Sequence, residues 1–227
     1  MELDHIFIFT KEPDQVAKVL QEFGLTEGTS NIHKGQGTAC RRFFFHNAYL
    51  ELVWVNNEEE AKSSFISKAK LWERSQYHFT NYCPFGICFR SKNELFNPLN
   101  LLFNDGWRYY STYLPADQFA NIASNEDFPT EPMLFEMPFF GLAPKDYLLD
   151  KQQPLAHEKD FLEITKITIT IPHYTINSQS MAIKKVLLSN DVVMTEGENY
   201  SVSLEFDHFK KKETRNFNPL IPLTFRW

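Results

Sequence analysis

The chain has 227 residues, 43% of them hydrophobic, which supports a substantial packed core and excludes a disordered chain. A formal net charge of −6, with Lys210, Lys211 and Lys212 as the one notable basic run, argues against a nucleic-acid partner. The start Met1-Glu2-Leu3-Asp4-His5 lacks the basic opening and the apolar run of about 7 to 15 residues of a secretory signal, and no stretch approaches the roughly 18 apolar residues that cross a bilayer, so a cytoplasmic protein without a membrane partner is expected.

Residues 3–10 read as a strand with Leu3, His5, Phe7 and Phe9 on one face. Thr10 and Pro13 suit a helix start, and Val16, Val19, Leu20 and Phe23 recur at helical spacing until Gly24 ends the element. Residues 41–46 and 48–56 read as two strands joined by a tight turn at Asn47. Asn57 and the acidic run Glu58, Glu59, Glu60 then predict a connecting helix over 57–76, with Phe65, Ala69 and Trp72 on one side.

A second unit passes through strand-like residues 85–90, a helix interrupted by Pro98, residues 107–113 and the apolar run 133–140. Residues 141–159 read as a surface connection. In the third unit Ile167, Ile169 and Ile171 alternate with polar residues, Asn177 is a candidate cap for a helix carrying Ile183, Val186 and Leu187, and Tyr200, Val202, Leu204 and Phe206 alternate again. A last strand over 220–227 closes it. The expected class is thus α+β, with repeated βαβββ modules forming curved, mostly antiparallel sheets around a cavity. Residues 1–140 hold two modules, and residues 160–227 hold a third, of βαββ type, packed against them.

Two stretches carry a resemblance. The opening Leu3-Asp4-His5-Ile6-Phe7-Ile8, and the run from His33-Lys34-Gly35-Gln36-Gly37-Thr38 through Arg41-Arg42-Phe43 to Tyr49-Leu50-Glu51-Leu52, resemble the glyoxalase-like domain family of the vicinal oxygen chelate superfamily. The resemblance implies paired modules around a site that often holds a divalent metal, with His or Gln from the first strand of a module and Glu from its last. His5 and Glu51 match two such positions, and Glu136 resembles the final carboxylate of the second module. The place of another His falls near Gly86, so water or His78 fills the gap, or the metal has been lost.

The expected site therefore has His5, Glu51 and Glu136 as metal ligands, for Mn, Fe, Ni or Zn, and Glu51 or Glu136 as proton carriers. Such a carboxylate among apolar neighbours demands a partner, whether a cation or a hydrogen-bonded His5. His33, Gln36 and the pair Arg41 and Arg42 are expected to face a ligand, because the two glycines free backbone amides and one arginine must point to each side of its strand. Cys40, Cys83 and Cys88 are spaced for neither a disulfide framework nor a zinc knuckle and read as buried thiols. Two functions remain open: an enzyme acting on a small oxygen-rich or aromatic metabolite as a lyase, isomerase or dioxygenase, and a metal-free protein that sequesters a small apolar compound. A homodimer through the third unit is a further expectation.

Overall fold

A computed structural model describes residues 1–93, 95, 97–174 and 179–227. The opening alternation forms β1 (Glu2–Phe9). It is followed by α1 (Pro13–Glu22), in which Val16, Ala17 and Leu20 are buried and Gly24, at a φ of +109°, turns the chain away from the helix. Then come β2 (Asn31–His33), β3 (Thr38–Phe44) and β4 (Tyr49–Val55). The residues expected to form one connecting helix break instead into short pieces, α2 (Glu58–Ala61), α3 (Leu71–Ser75) and α4 (Tyr77–Thr80). The left-handed backbone of Lys70 and Asn81 bounds the last two.

The second unit has β5 (Phe85–Ser91), β6 (Trp107–Tyr109), β7 (Ala120–Ile122) and β8 (Met133–Phe140). Where its helix was expected, the described residues hold a single 3-10 turn at Pro98–Asn100, since proline opens a helix but cannot continue one. The C-terminal region supplies β9 (Ile164–Ile171), α5 (Met181–Leu187), β10 (Val192–Glu196), β11 (Ser201–Phe206), β12 (Thr214–Asn216) and β13 (Leu223–Arg226). The expected helix cap at Asn177 lies outside the described residues; the side chain of Ser180 caps α5 by accepting from the Ile183 amide.

The first eight strands form one sheet in the order β2-β3-β4-β1-β5-β8-β7-β6, curled into a half-barrel. Its two halves mirror each other. β1 runs parallel to β4, β5 runs parallel to β8, and the antiparallel β1–β5 pair joins the halves. The remaining pairings are antiparallel, so the α+β class with curved, mostly antiparallel sheets is what the chain adopts. The second sheet, β10-β9-β11-β13-β12, repeats the parallel, antiparallel, parallel, antiparallel sequence of β4-β1-β5-β8-β7. Two shortened modules back to back would give this pattern, where the sequence suggests a single third unit.

Strand alternation divides the residues of the first sheet between two environments. Ile6, Ile8, Leu50, Leu52 and Ile87 point to the back, into a core shared with α1 and with Ile167, Val202, Leu204 and Phe225 of the second sheet. His157 ties these layers: its Nδ1 accepts from the Thr26 amide at 3.0 Å and its Nε2 donates to the Phe44 carbonyl at 2.9 Å. Burial, reinforced by the nearby His46, holds this imidazole below its ordinary 6.5 although the Phe44 contact acts the other way. The neutral ring is the folded form, so its contribution is present above about 6.5 and is lost as acid protonates the unfolded chain first. The urea midpoint should fall between about pH 7.5 and about pH 5.5, and fall less in His157→Gln.

Candidate functional site

The front face of the curled sheet encloses a cavity of about 300 Å³. It draws His5 and Phe7 from β1, His33 from β2, Arg42 from β3, Tyr49 and Glu51 from β4, and Met133, Phe135 and Met137 from β8. Register explains the gathering: His5 pairs with Tyr49, Phe7 with Glu51, and Arg42 with Glu51 on the other side, so these side chains leave the same face. Ile66 and Leu71 from the broken connecting segment, with Tyr113 and Leu114, complete the wall.

His5 is 8% exposed and Glu51 6%. The His5 ring stacks on Tyr49 with centroids 4.6 Å apart and meets Phe135 edge-on at 5.4 Å. Its Nδ1 lies 2.7 Å from Asp4 Oδ1 and its Nε2 lies 3.8 Å from Glu51 Oε2. The short contact to a carboxylate assigns the proton to Nδ1 and turns Nε2 toward the cavity. Burial pushes the imidazole down, but Glu51 and Asp4 together outweigh it and hold His5 above its ordinary 6.5.

The other oxygen of Glu51, Oε1, accepts from the Cys40 thiol at 3.4 Å, and Cys40 Sγ lies 3.8 Å from His33 Nε2. Burial pushes the Cys40 thiol far up, with Glu51 adding to the shift, and burial keeps the His33 imidazole low. His33 Nδ1 is 2.9 Å from Thr38 Oγ1, which also accepts from the Gln36 carboxamide at 2.8 Å. The Tyr113 hydroxyl donates to Gln36 Oε1 at 2.7 Å and Thr112 Oγ1 donates to the Lys34 carbonyl at 2.9 Å. The β6–β7 connection is thereby laid over the β2–β3 turn.

The sequence-derived candidates separate cleanly. His5, His33, Gln36, Arg42 and Glu51 all face the cavity. Arg41 points to the other side of β3, where Glu27 and Asp14 neutralise it. Arg42 has no carboxylate partner among the described residues; Thr29 accepts from its Nε and Nη2, and it lies over the rings of Phe44 and Tyr49. The amides of Gly35 and Gly37, expected to meet a ligand, donate instead to the Glu60 carboxylate at 2.7 and 3.1 Å.

Glu136 stands on the back face. It is fully buried and accepts from the Leu102 and Phe103 amides at 3.0 Å each and from Asn121 Nδ2 at 2.7 Å. Three donors on a carboxylate satisfy its charge without a cation. Met133, Phe135 and Met137 flank it at odd positions and take the cavity side, so the residue corresponding to Glu51 in the second half is Phe135, which pairs with Cys88 as Glu51 pairs with Phe7.

Gly86 leaves the remaining place to a neighbour: a Cβ there would lie 2.1 Å from the Phe7 ring. The four-ligand set shared between two modules is therefore not assembled, and the exposed His78 packs its ring at a tilt against Tyr77, outside the cavity lining. Gly86→Ala should force the Phe7 ring to move and cost about 1–3 kcal/mol, measurable by thermal unfolding. Asp4, Cys40, Tyr49 and Tyr113 are site residues that the sequence reading did not assign. The alternation of β4 already placed Tyr49 beside Glu51, whereas Tyr113 arrives from an irregular connection with no periodicity to read.

A curled sheet of two mirrored halves around a cavity defines the vicinal oxygen chelate class of fold. Residues 3–93 match the model of the glyoxalase-like domain family. A hypothetical protein from Staphylococcus aureus is similar over 99% of this chain and 98% of its own, with a TM-score of 0.58 and 14% identity, so the arrangement of both sheets recurs there. A Streptomyces coelicolor methylmalonyl-CoA epimerase in complex with 2-nitronate-propionyl-CoA reaches a TM-score of 0.43 at 10% identity, over 63% of this chain and 97% of its own. The Mycobacterium tuberculosis methylmalonyl-CoA epimerase reaches 0.37 at 16% identity, over 60% and 87%. No curated protein matches the chain in sequence. Among the described residues no helix is long and apolar enough to cross a membrane.

Proposed function

We propose that the chain is a small-molecule enzyme of glyoxalase-like type that moves a proton at a carbon next to a carbonyl group, with His5 as the acid–base group. One observation carries the reading: an imidazole whose Nδ1 is held by Asp4 at 2.7 Å turns its other nitrogen into the cavity. The carbon-bound proton passes to Nε2, the ring becomes an imidazolium, and Asp4 and Glu51 stabilise that charge from two sides. Return of the proton to another carbon or face completes an isomerisation, and expulsion of a neighbouring group completes an elimination. Arg42 supplies positive charge for an anionic ligand, and the apolar wall of Met133, Phe135 and Met137 favours a ligand with a hydrocarbon or aromatic body.

That same apolar wall favours the second reading, a sequestering protein. Deuterium exchange separates the two. A panel of small 2-oxo acids and aryl ketones in D₂O, followed by proton NMR, should include a compound whose α-hydrogens exchange faster with protein, and His5→Ala should remove the acceleration. Dye binding without exchange of any compound would favour sequestration.

A further inference from the structure

We infer that His33, Cys40 and Glu51 form a divalent-cation site for an ion of zinc type, with one coordination position open to the cavity. The inference deepens the reading above by naming what would polarise the ligand's carbonyl oxygen. It rests on the same cavity but not on His5 as proton carrier.

The three side chains come from β2, β3 and β4, three neighbouring strands, and leave the same face. All are buried, at 9%, 0% and 6% exposure. Their donor atoms all lie within 4.8 Å of one another. Cys40 Sγ is 3.4 Å from Glu51 Oε1 and 3.8 Å from His33 Nε2. Tetrahedral zinc, with bonds of about 2.0–2.3 Å to nitrogen, oxygen and sulfur, sets donor atoms roughly 3.5 Å apart. The two separations from Cys40 Sγ bracket that edge, and with the third donor pair within 4.8 Å an ion is reached by side-chain adjustment.

The surrounding shell has the form that a metal-bound imidazole takes. His33 Nδ1 lies 2.9 Å from Thr38 Oγ1, a hydroxyl that accepts from Nδ1–H when Nε2 binds an ion, and Nε2 faces Cys40. Gln36 and Tyr113 continue that chain and hold Thr38 in place. Thiol, imidazole and carboxylate together suit zinc or cobalt better than the hard ions magnesium and calcium. Three protein ligands leave a fourth position for a ligand oxygen, as in catalytic rather than structural zinc sites. Glu51 uses Oε1 here and keeps Oε2 toward His5. Binding replaces the Cys40 S–H proton with the ion, and one proton leaves to solvent without any change of oxidation state.

The other cluster, Asp4, His5 and Cys88, is a poorer candidate. Asp4 and His5 already satisfy each other at 2.7 Å, and the Cys88 thiol is directed at the Phe89 carbonyl at 3.7 Å.

Chelator-stripped protein titrated anaerobically with Co²⁺ alone should take up one equivalent, release a proton and develop a thiolate-to-cobalt absorption band that Zn²⁺ abolishes. Cys40→Ser should lose the band, and both it and His33→Ala should weaken Zn²⁺ binding at least about 100-fold, with Thr38→Val weakening it about 10–100-fold. Cys88→Ser and His5→Ala should keep band and stoichiometry. Thermal unfolding of each variant identifies a folding failure, and His33→Gln repeats the test at unchanged Cys40. No stoichiometric uptake, a band that survives Cys40→Ser, or a band lost in Cys88→Ser overturns the site. Absence of deuterium exchange in protein that still binds cobalt would overturn only the proton-transfer reading.

Discussion

His5→Ala is expected to lower the rate of ligand deuterium exchange by about 10²–10⁴-fold while leaving the fold intact. The loss follows from position: no other imidazole in the cavity has both a carboxylate on one nitrogen and open space at the other. His33 is the nearest alternative, but its Nδ1 bonds to Thr38 and its Nε2 faces the Cys40 sulfur. Asp4→Asn should give a smaller loss, because the ring remains stacked on Tyr49 while its tautomer is no longer fixed by a carboxylate. Exchange followed by NMR at saturating ligand checks both variants. A His5→Ala protein that exchanges at the wild-type rate would remove this residue from the chemistry.

Glu136→Ala is expected to be the most damaging single change to stability described here, at about 3–5 kcal/mol, with the rate per folded molecule unchanged. Each of the three donors that the carboxylate now receives loses its acceptor, and a buried donor without a partner costs about 1–3 kcal/mol. A domain is typically held by about 5–15 kcal/mol, so the loss is a large share of the total. Glu136→Gln should recover part of it, since the amide keeps one carbonyl oxygen. Urea unfolding measures the energy, and exchange assayed at low temperature measures the chemistry. A Glu136→Ala chain of wild-type stability would contradict the back-face placement.

The difference between Glu51 and Glu136 shows where sequence reasoning works. Around Glu51 the strand pattern, with Tyr49 and Val53 on one side and Leu50 and Leu52 on the other, is fixed by β1, and the expected pairing with His5 follows from register. Residues 133–140 are apolar on both faces, so nothing local says which side Glu136 takes. Its partners at Leu102, Phe103 and Asn121 come from segments with no periodicity. Strands such as Ile167–Ile171 and Val202–Phe206 were legible because their buried and open faces alternate. The break-up of residues 57–76 was not, because α2 ends where Glu60 is drawn to the Gly35 and Gly37 amides, a contact between segments some 25 residues apart. From sequence Cys40 reads only as a buried thiol, since what makes it interesting is its distance to two residues on neighbouring strands.

The mirrored halves of the first sheet do not share their labour equally. Every carboxylate, imidazole and guanidinium that lines the cavity, from Asp4 to Glu51, belongs to the first half, while the second contributes the phenols Tyr109 and Tyr113 and the apolar Met133, Phe135 and Met137. Chemistry and shape are therefore encoded in separate stretches of chain that meet along one strand pair. Changes in the second stretch can resize or reshape the chamber for a different compound without disturbing the groups that act on it, so a new preference is reachable through a few apolar exchanges.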